Sequence, residues 1–281
     1  MKARKRKDRF LKGLMFACAL IACLILLLLL GEILVRGVPS ISWKLLTTES
    51  SYRDDTIGIL PNILNTLYII LITMIIVIPL GVGAAIYLNE YASNQKLVSI
   101  ITFASETLTG IPSILFGLAG MLLFIQICGL KQGILAGSFT LVMMVLPTVI
   151  SNTHESLKTV PDSYREGALA LGSGKWRMIR TVVLPNAMDG IVTGCILAIG
   201  RITGESAALL FTAGFGLKMV DFFQSLQSSS ATLTVALYIY ASERGAYDVA
   251  FAIAVILIIL TFLLNMLASR MASRVKKKRG D

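Results

Sequence analysis

The chain has 281 residues, of which 56% are apolar and only 15% are charged. Its mean hydropathy is +0.79. An ordinary soluble domain carries about 25% charged residues, and a chain of this length cannot bury so much apolar surface by folding alone. The composition therefore argues against a soluble enzyme and a disordered chain, and it predicts an all-α protein that crosses a membrane several times.

The net charge of +10 is concentrated at the two ends of the chain. Residues 1–12 carry seven Lys or Arg and one Asp, and residues 270–281 carry six Lys or Arg and one Asp. Because positive residues flank membrane helices on the cytoplasmic side, residues 1–13 and 270–281 are predicted to be basic cytoplasmic tails. Two internal termini require an even number of crossings. A nucleic-acid-binding protein would instead carry a basic face on a folded domain, so no nucleic acid is expected as a partner.

Six apolar runs approach the length of about 20 residues that a membrane helix needs. They divide the chain into a first helix with its outer loop, 14–60, and a core of five helices, 61–269. The connection 152–186 is basic and is expected in the cytoplasm, and the outer loop 213–248 contains a short apolar run that is either a re-entrant or interfacial helix or an ordinary packed loop helix. The six predicted crossings are 14–35, 61–88, 97–128 with a break at Gly110-Ile111-Pro112, 134–150, 187–211 and 249–267.

The cytoplasmic loop 152–186 contains signals for two short helices. Ser163 and Glu166 have the spacing of a capping box, which predicts a helix that starts near Ser163, and Gly172 can end it. A second helix is predicted over 175–183, ending before Leu184-Pro185. Two short helices joined at a glycine form a compact projection that suits docking of a soluble partner, although a helical hairpin without a partner has the same pattern.

This loop resembles the conserved cytoplasmic loop of permease subunits of ABC importers. The family pattern is Glu-Ala-Ala, three residues, Gly, nine residues, and Ile-x-Leu-Pro. The chain has Glu166-Gly167-Ala168, then Gly172, and then Val182-Val183-Leu184-Pro185, so every spacing matches and two positions differ conservatively. The resemblance implies the fold of a type I ABC importer permease, and a coupling helix formed around Ser163, Glu166, Gly167, Ala168, Gly172, Leu184 and Pro185 that sits in a groove of a cytoplasmic ATPase.

Three further segments are similar to the A-type permease subunit of the phosphate-specific ABC transport (Pst) system. They are Thr107–Leu118, Arg201–Ala208 and Asn65-Thr66. This resemblance implies a multi-pass protein of the bacterial inner membrane that imports phosphate. It also implies a homologous second permease subunit, two copies of the ATPase, and a phosphate-binding protein outside the membrane. ATP would be used by the partner subunits, so no cofactor is expected on this chain.

Charged residues within the predicted crossings point to an anion path. Arg201 and Glu205 have i, i+4 spacing, which would place them on one face of helix five, and Arg is the side chain suited to bidentate oxyanion contacts. The break at Gly110 and Pro112 lies at a similar depth, where a half-helix could direct N–H groups at an anion. Glu205 is expected to hold Arg201 while no anion is present. The candidate path is Arg201, Glu205, Thr109, Gly110, Pro112, Ser113 and Thr203.

Several simpler interpretations remain open at this point. Arg201–Glu205 could be only an ion pair that locks helix packing, and Gly110–Pro112 could be only a packing kink. Glu106 is interpreted as a polar contact at an interface, and His154, the only histidine, as a solvated residue at the inner end of helix four. Alternative functions are a permease for sulfate or molybdate and an ATP-independent anion channel. The sequence has no metal cluster, catalytic triad or phosphate-binding glycine loop, so no enzyme activity is expected.

Overall fold

The computed structural model describes residues 2–50 and 57–277, and these residues form helices joined by short connections. Part of the predicted segment 14–60, in the outer loop that follows its helix, and the last four residues of the tail 270–281 lie outside the described residues. The first helix, α1 (Lys2–Gly37), includes the predicted basic tail and continues through the first crossing without a break. The last helix, α13 (Tyr247–Lys277), likewise extends into the second basic tail.

The centre of the molecule is built from long apolar helices that pack on one another. These are α3 (Leu60–Ile86), α6 (Ile134–Lys158) and α9 (Leu184–Thr203). Their buried faces and α13 form one continuous hydrophobic cluster. In contrast, the apolar side chains of α1 between Phe10 and Leu29 are exposed, as expected for a helix that faces lipid. Gly37 allows α1 to approach α13 closely, because a Cβ there would collide with Phe251 and Val255.

The remaining helices are short. Ser42 starts the first of them by accepting a hydrogen bond from the Leu45 N–H, as an N-cap residue does. The others occupy the region before the central helix α6, the cytoplasmic loop and the outer segment. In chain order they are α2 (Trp43–Thr47), α4 (Gln95–Thr109), α5 (Ser113–Gly120), α7 (Asp162–Ala170), α8 (Lys175–Met178), α10 (Ala207–Thr212), α11 (Phe222–Ser225) and α12 (Leu233–Tyr238).

The predicted third crossing is broken where the sequence indicated, and the bend is sharp. Within the described residues, five helices are long and apolar enough to span a membrane, and the bent pair 95–109 and 113–127 adds a sixth if it counts as one span. The two halves of this pair meet at 103°. Pro112 lies at the N-cap of α5 with an extended ψ of 136°, and its ring disfavours helical conformation in the residue before it, Ile111.

The predicted fifth crossing, 187–211, has different limits in the structure. A continuous helix runs from Lys175 to Thr203, with a π-helical turn at Ile179–Val183 between α8 and α9. The expectation that the second loop helix ends before Leu184-Pro185 was therefore wrong. Pro185 comes directly after the π-helical turn, in the first turn of α9. At the other end, the helix stops at Thr203 and the chain resumes as α10 at Ala207.

The outer segment contains α12, which is buried rather than lying on the surface. Leu233, Val235 and Ala236 have no exposed area, which argues against an interfacial helix, while the choice between a re-entrant helix and an ordinary packed loop helix stays a prediction. Polar side chains of α3 hold the start of α12: the amides of Asn62 and Asn65 donate to the Ala231 carbonyl at 2.9 and 3.1 Å.

Thr66 of α3 also holds the start of α12 through hydrogen bonds of its hydroxyl group. Its hydroxyl donates to the Asn62 carbonyl at 2.7 Å and accepts the Leu233 N–H at 2.9 Å. Thr66 therefore satisfies one of the donors that a helix leaves free at its N-terminus.

Thr66→Val should destabilise the protein, because it leaves the buried Leu233 N–H without an acceptor, at a cost of about 1–3 kcal/mol. Thr73→Val is the matched control, since Thr73 lies on the same helix with a buried hydroxyl that has no hydrogen-bond partner. Thermal unfolding in detergent should show a lower midpoint for Thr66→Val and an unchanged or higher one for Thr73→Val. Equal losses in both variants would contradict this account of α12.

Candidate functional site

The cytoplasmic projection begins with α7, which starts one residue earlier than predicted and without the predicted capping box. The N-cap residue is Pro161, in an extended conformation (φ −60°, ψ 140°), and no side chain caps the helix. Ser163 and Glu166 are both exposed. The proline sets the start of α7, because proline disfavours helical conformation in the residue before it. Ser163 therefore lies inside the helix and is not its N-cap residue.

The end of α7 agrees with the sequence. Gly172 has a φ of +80°, which non-glycine residues rarely adopt. The N–H groups of Gly172 and Ser173 donate to the carbonyls of Leu169 and Ala168, which closes the end of the helix. The chain then turns into α8. Gly167 has open space around the position of a Cβ, and Ala168 packs against the buried cluster below α7.

The projection exposes large apolar side chains to the cytoplasmic side. Leu171 is 91% exposed and Trp176 is 60% exposed, and Tyr164 and Leu169 are each about half exposed. We call these four residues, together with Glu166, the loop face. Four large exposed apolar side chains between residues 164 and 176 of one surface loop favour a protein–protein contact there.

One ion pair fastens the projection to the membrane helices. Arg165 on α7 binds Glu90 through its Nε and Nη2 atoms at 3.1 and 3.0 Å. The side chains are only 15% and 5% exposed, respectively. Glu90 lies in the π-helical turn Tyr87–Tyr91, which extends α3. Arg165 therefore ties α7 to the inner end of α3.

Arg165 also holds the inner end of α6. Its Nη2 and Nη1 atoms donate to the carbonyls of Leu157 and Val160 at 2.9 and 2.7 Å. A third partner, Asp162, accepts from Nη1 at 3.0 Å but is 86% exposed. We call Arg165, Glu90 and these two carbonyls the latch. Sequence reasoning counted Arg165 only as a cytoplasmic positive charge, although Glu90 is the one acidic residue between 57 and 105 and could have drawn attention to the pair.

At the level of the broken helices, the predicted Arg201–Glu205 pair is not formed. Glu205 lies beyond the end of α9, so the two residues do not share a helix face. The Glu205 carboxylate is buried and accepts the Ala208 N–H at 3.0 Å, and thus caps the start of α10. Arg201 is half-buried and makes no ion pair or hydrogen bond within the described residues. Its expected partner was wrong because Gly204 ends the helix before Glu205.

The predicted path residues at the break between α4 and α5 also contact their own helices and not Arg201. The Thr109 hydroxyl donates to the Glu106 carbonyl at 2.6 Å, and Gly110 is the C-cap residue of α4. Ser113 is half-buried and begins α5. No hydrogen bond or ion pair joins Arg201 to residues 109–113 in the described structure, so the predicted anion path stays a prediction.

The two broken helices contact each other directly. A Cβ at Gly117 of α5 would lie 2.7 Å from the Ala208 Cα of α10, so the backbones touch at a glycine. Thr203 donates its hydroxyl to the Ile199 carbonyl and is buried. The Thr234 hydroxyl on α12 donates to the Glu205 carbonyl at 2.7 Å. The structure therefore brings Glu205, α5 and α12 together at one place.

Residues 77–278 match the model of the binding-protein-dependent transport system inner membrane component. The chain belongs to this family. It is a permease component of an ABC transporter, a multi-pass protein of the inner membrane, and it is not itself catalytic. Permeases of this family assemble with ATPase subunits and a periplasmic binding protein.

Individual relatives agree with the family assignment. The chain is 39% identical over 219 residues to a probable ABC transporter permease protein, YqgI, of Bacillus subtilis, covering 78% of this chain and 74% of the relative. It is 32% identical to the phosphate transport system permease protein PstA of Haemophilus influenzae, covering 85% and 83%. It is 37% identical to PstA of Yersinia pestis, covering 75% and 71%.

Solved structures support the fold. A bacterial ABC transporter that imports the acidic polysaccharide alginate has a chain with a TM-score of 0.68 at 14% identity, covering 97% of this chain and 99% of that one. The MetNI methionine ABC transporter, in an inward-facing conformation, gives a TM-score of 0.61 at 20% identity, covering 78% and 94%. The all-helical ABC permease fold expected from the sequence is thus confirmed.

Glu90→Gln should loosen the cytoplasmic projection. Removing one partner of a buried ion pair costs about 3–5 kcal/mol because the other charge stays buried. Asp162→Asn removes the exposed partner of the same arginine and should cost little, as exposed pairs contribute about 0–1 kcal/mol. Limited trypsin digestion should therefore cut loop 152–186 faster in Glu90→Gln and at the unaltered rate in Asp162→Asn. The same rate in all three proteins would show that the latch does not hold the loop.

Proposed function

We propose that this chain is a permease subunit of an ABC importer for inorganic phosphate. The choice of phosphate as the substrate is supported by the similarity to PstA proteins over most of the chain. The Haemophilus influenzae protein is 32% identical across 85% of this chain. The B. subtilis relative, YqgI, is described only as a probable ABC permease, so the phosphate assignment rests on the PstA relatives and on the chemistry of Arg201.

Arg201 suits an oxyanion path because it is a half-buried guanidinium without a counterion in the described structure. A charge within a membrane protein normally faces a polar cavity or a partner. Arg also matches the geometry of phosphate oxygens with paired N–H donors. Glu205 was predicted to hold Arg201, but it instead fixes the start of α10 by accepting the Ala208 N–H. The remaining proposed path residues are Thr109, Gly110, Pro112, Ser113 and Thr203.

The loop face is proposed as the docking surface for a cytoplasmic ATPase. Its exposed Leu171 and Trp176 would be covered in the complex, which removes their cost in water. Glu166 supplies a charge at the same surface. Motion of the ATPase would reach the membrane helices through the latch, because Arg165 joins α7 to both α3 and α6. The proposed coupling element comprises Ser163, Glu166, Gly167, Ala168, Gly172, Leu184 and Pro185.

The complete transporter is proposed to contain two ATPase copies, a second homologous permease subunit and a phosphate-binding protein outside the membrane. Both termini of this chain would be cytoplasmic, since that orientation places the basic loop 152–186 inside. In this proposal, the chain forms the path for phosphate and transmits the motion of the ATPase to the membrane helices, and the ATPase copies supply the energy.

Arg201→Gln should abolish most ATP-dependent phosphate uptake by the reconstituted complex. Losing a charge-assisted contact of about 1.5–3 kcal/mol lowers affinity by roughly 10- to 100-fold. Arg36→Gln is the control, since it removes a positive charge that pairs with Glu32 at the exposed end of α1. Uptake of labelled phosphate into proteoliposomes, at equal protein content, measures the effect. Uptake that survives Arg201→Gln would remove Arg201 from the path.

Glu166→Lys should reduce recovery of the ATPase with the permease, because it reverses a charge on the loop face. Glu243→Lys, a charge reversal at an exposed residue in the outer segment, should leave that recovery unchanged. Affinity purification followed by quantification of both subunits measures it. Glu90→Gln should behave differently again, with the ATPase retained but less phosphate transported per ATP hydrolysed. Normal ATPase recovery in Glu166→Lys would contradict docking at this face.

A further inference from the structure

The segment before the first membrane span carries a dense positive charge. The span begins at Phe10, and six of the eight residues at 2–9 are Lys or Arg. The helix α1 runs through this segment without a break, and the side chains of Lys7 and Lys12 are exposed. At a rise of 1.5 Å per residue, the eight residues extend at most about 12 Å beyond the span.

A second basic segment leaves the membrane on the same side. The last span ends at Arg270, α13 continues to Lys277, and four of the eight residues at 270–277 are Lys or Arg. Gly37, at the end of α1, closely approaches Phe251, near the start of α13. Because both helices are long enough to cross the membrane, their other ends, which carry the basic segments, lie together on the opposite side.

Both basic segments lie close to the lipid headgroups. The headgroup layer on each side of a bilayer is about 5–8 Å thick, and charges are screened over about 8 Å at physiological ionic strength. Segments that extend at most about 12 Å from the apolar spans therefore lie within the headgroup layer or less than one screening length from it. Groups of four to eight Lys or Arg in this position are typical of binding to anionic lipids.

The apolar part of α1 has no cover from the rest of the chain. Every residue from 10 to 30 is exposed in the described structure, which is about 30 Å of helix. Only the outer end of α1 is held, at Gly37 and by the Arg36 guanidinium, which lies 5.4 Å from the centre of the Phe251 ring. The tilt of a membrane helix is set by packing on neighbouring helices and by anchoring residues at the interface. For the inner end of α1, the basic segment is the available anchor.

We propose that the basic inner ends of α1 and α13 form one binding surface for anionic phospholipids of the cytoplasmic leaflet, and that these lipids fix the position of α1. The lipid phosphates accept hydrogen bonds from the Lys and Arg groups, and phosphatidylglycerol adds a net negative charge that phosphatidylcholine lacks. The proposal rests on the orientation given under the proposed function, with both termini in the cytoplasm, and not on phosphate as the substrate.

The local lipid preference of α1 tests the surface. A fluorophore is attached to Leu11→Cys, an exposed position beside Lys12, in the complete complex in nanodiscs, with the four native cysteines replaced by alanine. Acyl chains that carry a quencher are supplied on phosphatidylglycerol or on phosphatidylcholine. Quenching should favour phosphatidylglycerol, and Lys7→Gln with Lys12→Gln should lower this preference about fivefold per charge removed.

The matched control is Lys7→Arg with Lys12→Arg, which keeps both charges and should keep the preference. Raising the salt concentration from about 0.1 M to 1 M shortens the screening length from about 10 to 3 Å, so it should also reduce the preference of the unaltered complex. Equal quenching by the two lipids, or a preference that the Gln variant retains in full, would overturn the binding surface.

A second measurement tests whether the lipids fix α1. Spin labels on the native Cys18 of α1 and on Leu267→Cys of α13, both exposed positions, report the distance between the two helices near their inner ends. The distance distribution should be narrow with phosphatidylglycerol and broad with phosphatidylcholine alone. Lys7→Gln with Lys12→Gln should broaden it in phosphatidylglycerol. A distribution that is equally narrow in both lipids would show that another subunit holds α1, and would overturn this part of the proposal.

The lipid surface and the substrate assignment fail separately. A complex that transports no phosphate but keeps a charge-dependent preference for phosphatidylglycerol would contradict the proposed substrate and support the lipid surface. ATP-driven phosphate uptake by a complex without that preference would support the substrate and overturn the lipid surface.

Discussion

Inside a bilayer, every backbone N–H and C=O must find a partner within the protein, because lipid offers none. This constraint explains why the long apolar segments are helical and why the polar groups at the break after Thr203 are paired within the fold. Glu205 accepts the Ala208 N–H and Thr234 binds the Glu205 carbonyl. The break after Thr203 therefore lies where α5, α10 and α12 pack together.

The π-helical turn after α3 contributes to the latch through Glu90 and lines a neighbouring cavity through Asn89. Glu90 receives hydrogen bonds from Asn89 on the cavity side and from Arg165 on the docking side. A buried carboxylate is stabilised only while such donors are present, so the burial of Glu90 depends on both Asn89 and Arg165. The geometry of the π-helical turn at Tyr87–Tyr91 places Glu90 between them.

Local signals in the sequence were sufficient for the helices, the break at Pro112 and the end of α7 at Gly172, because hydrophobic run length, proline and glycine act over a few residues. They failed where two local signals compete: Pro161 set the start of α7 in place of Ser163. Regular helix spacing failed for Arg201 and Glu205, because the helix ends between them. The pair of Glu90 with Arg165 and the burial of His154 depend on tertiary packing: the isolated acidic Glu90 indicated that a partner was needed but not which one, and the burial of His154, which is only 3% exposed and not solvated as expected, had no local signal.

The central claim is that the chain forms part of an ATP-driven phosphate importer. Its most direct test is uptake of labelled phosphate by the complete complex in proteoliposomes, with and without internal ATP, and with excess external sulfate or molybdate. The account predicts accumulation that requires ATP and that neither competing anion reduces. Accumulation of sulfate or molybdate in place of phosphate, or phosphate flux that is the same without ATP, would contradict it.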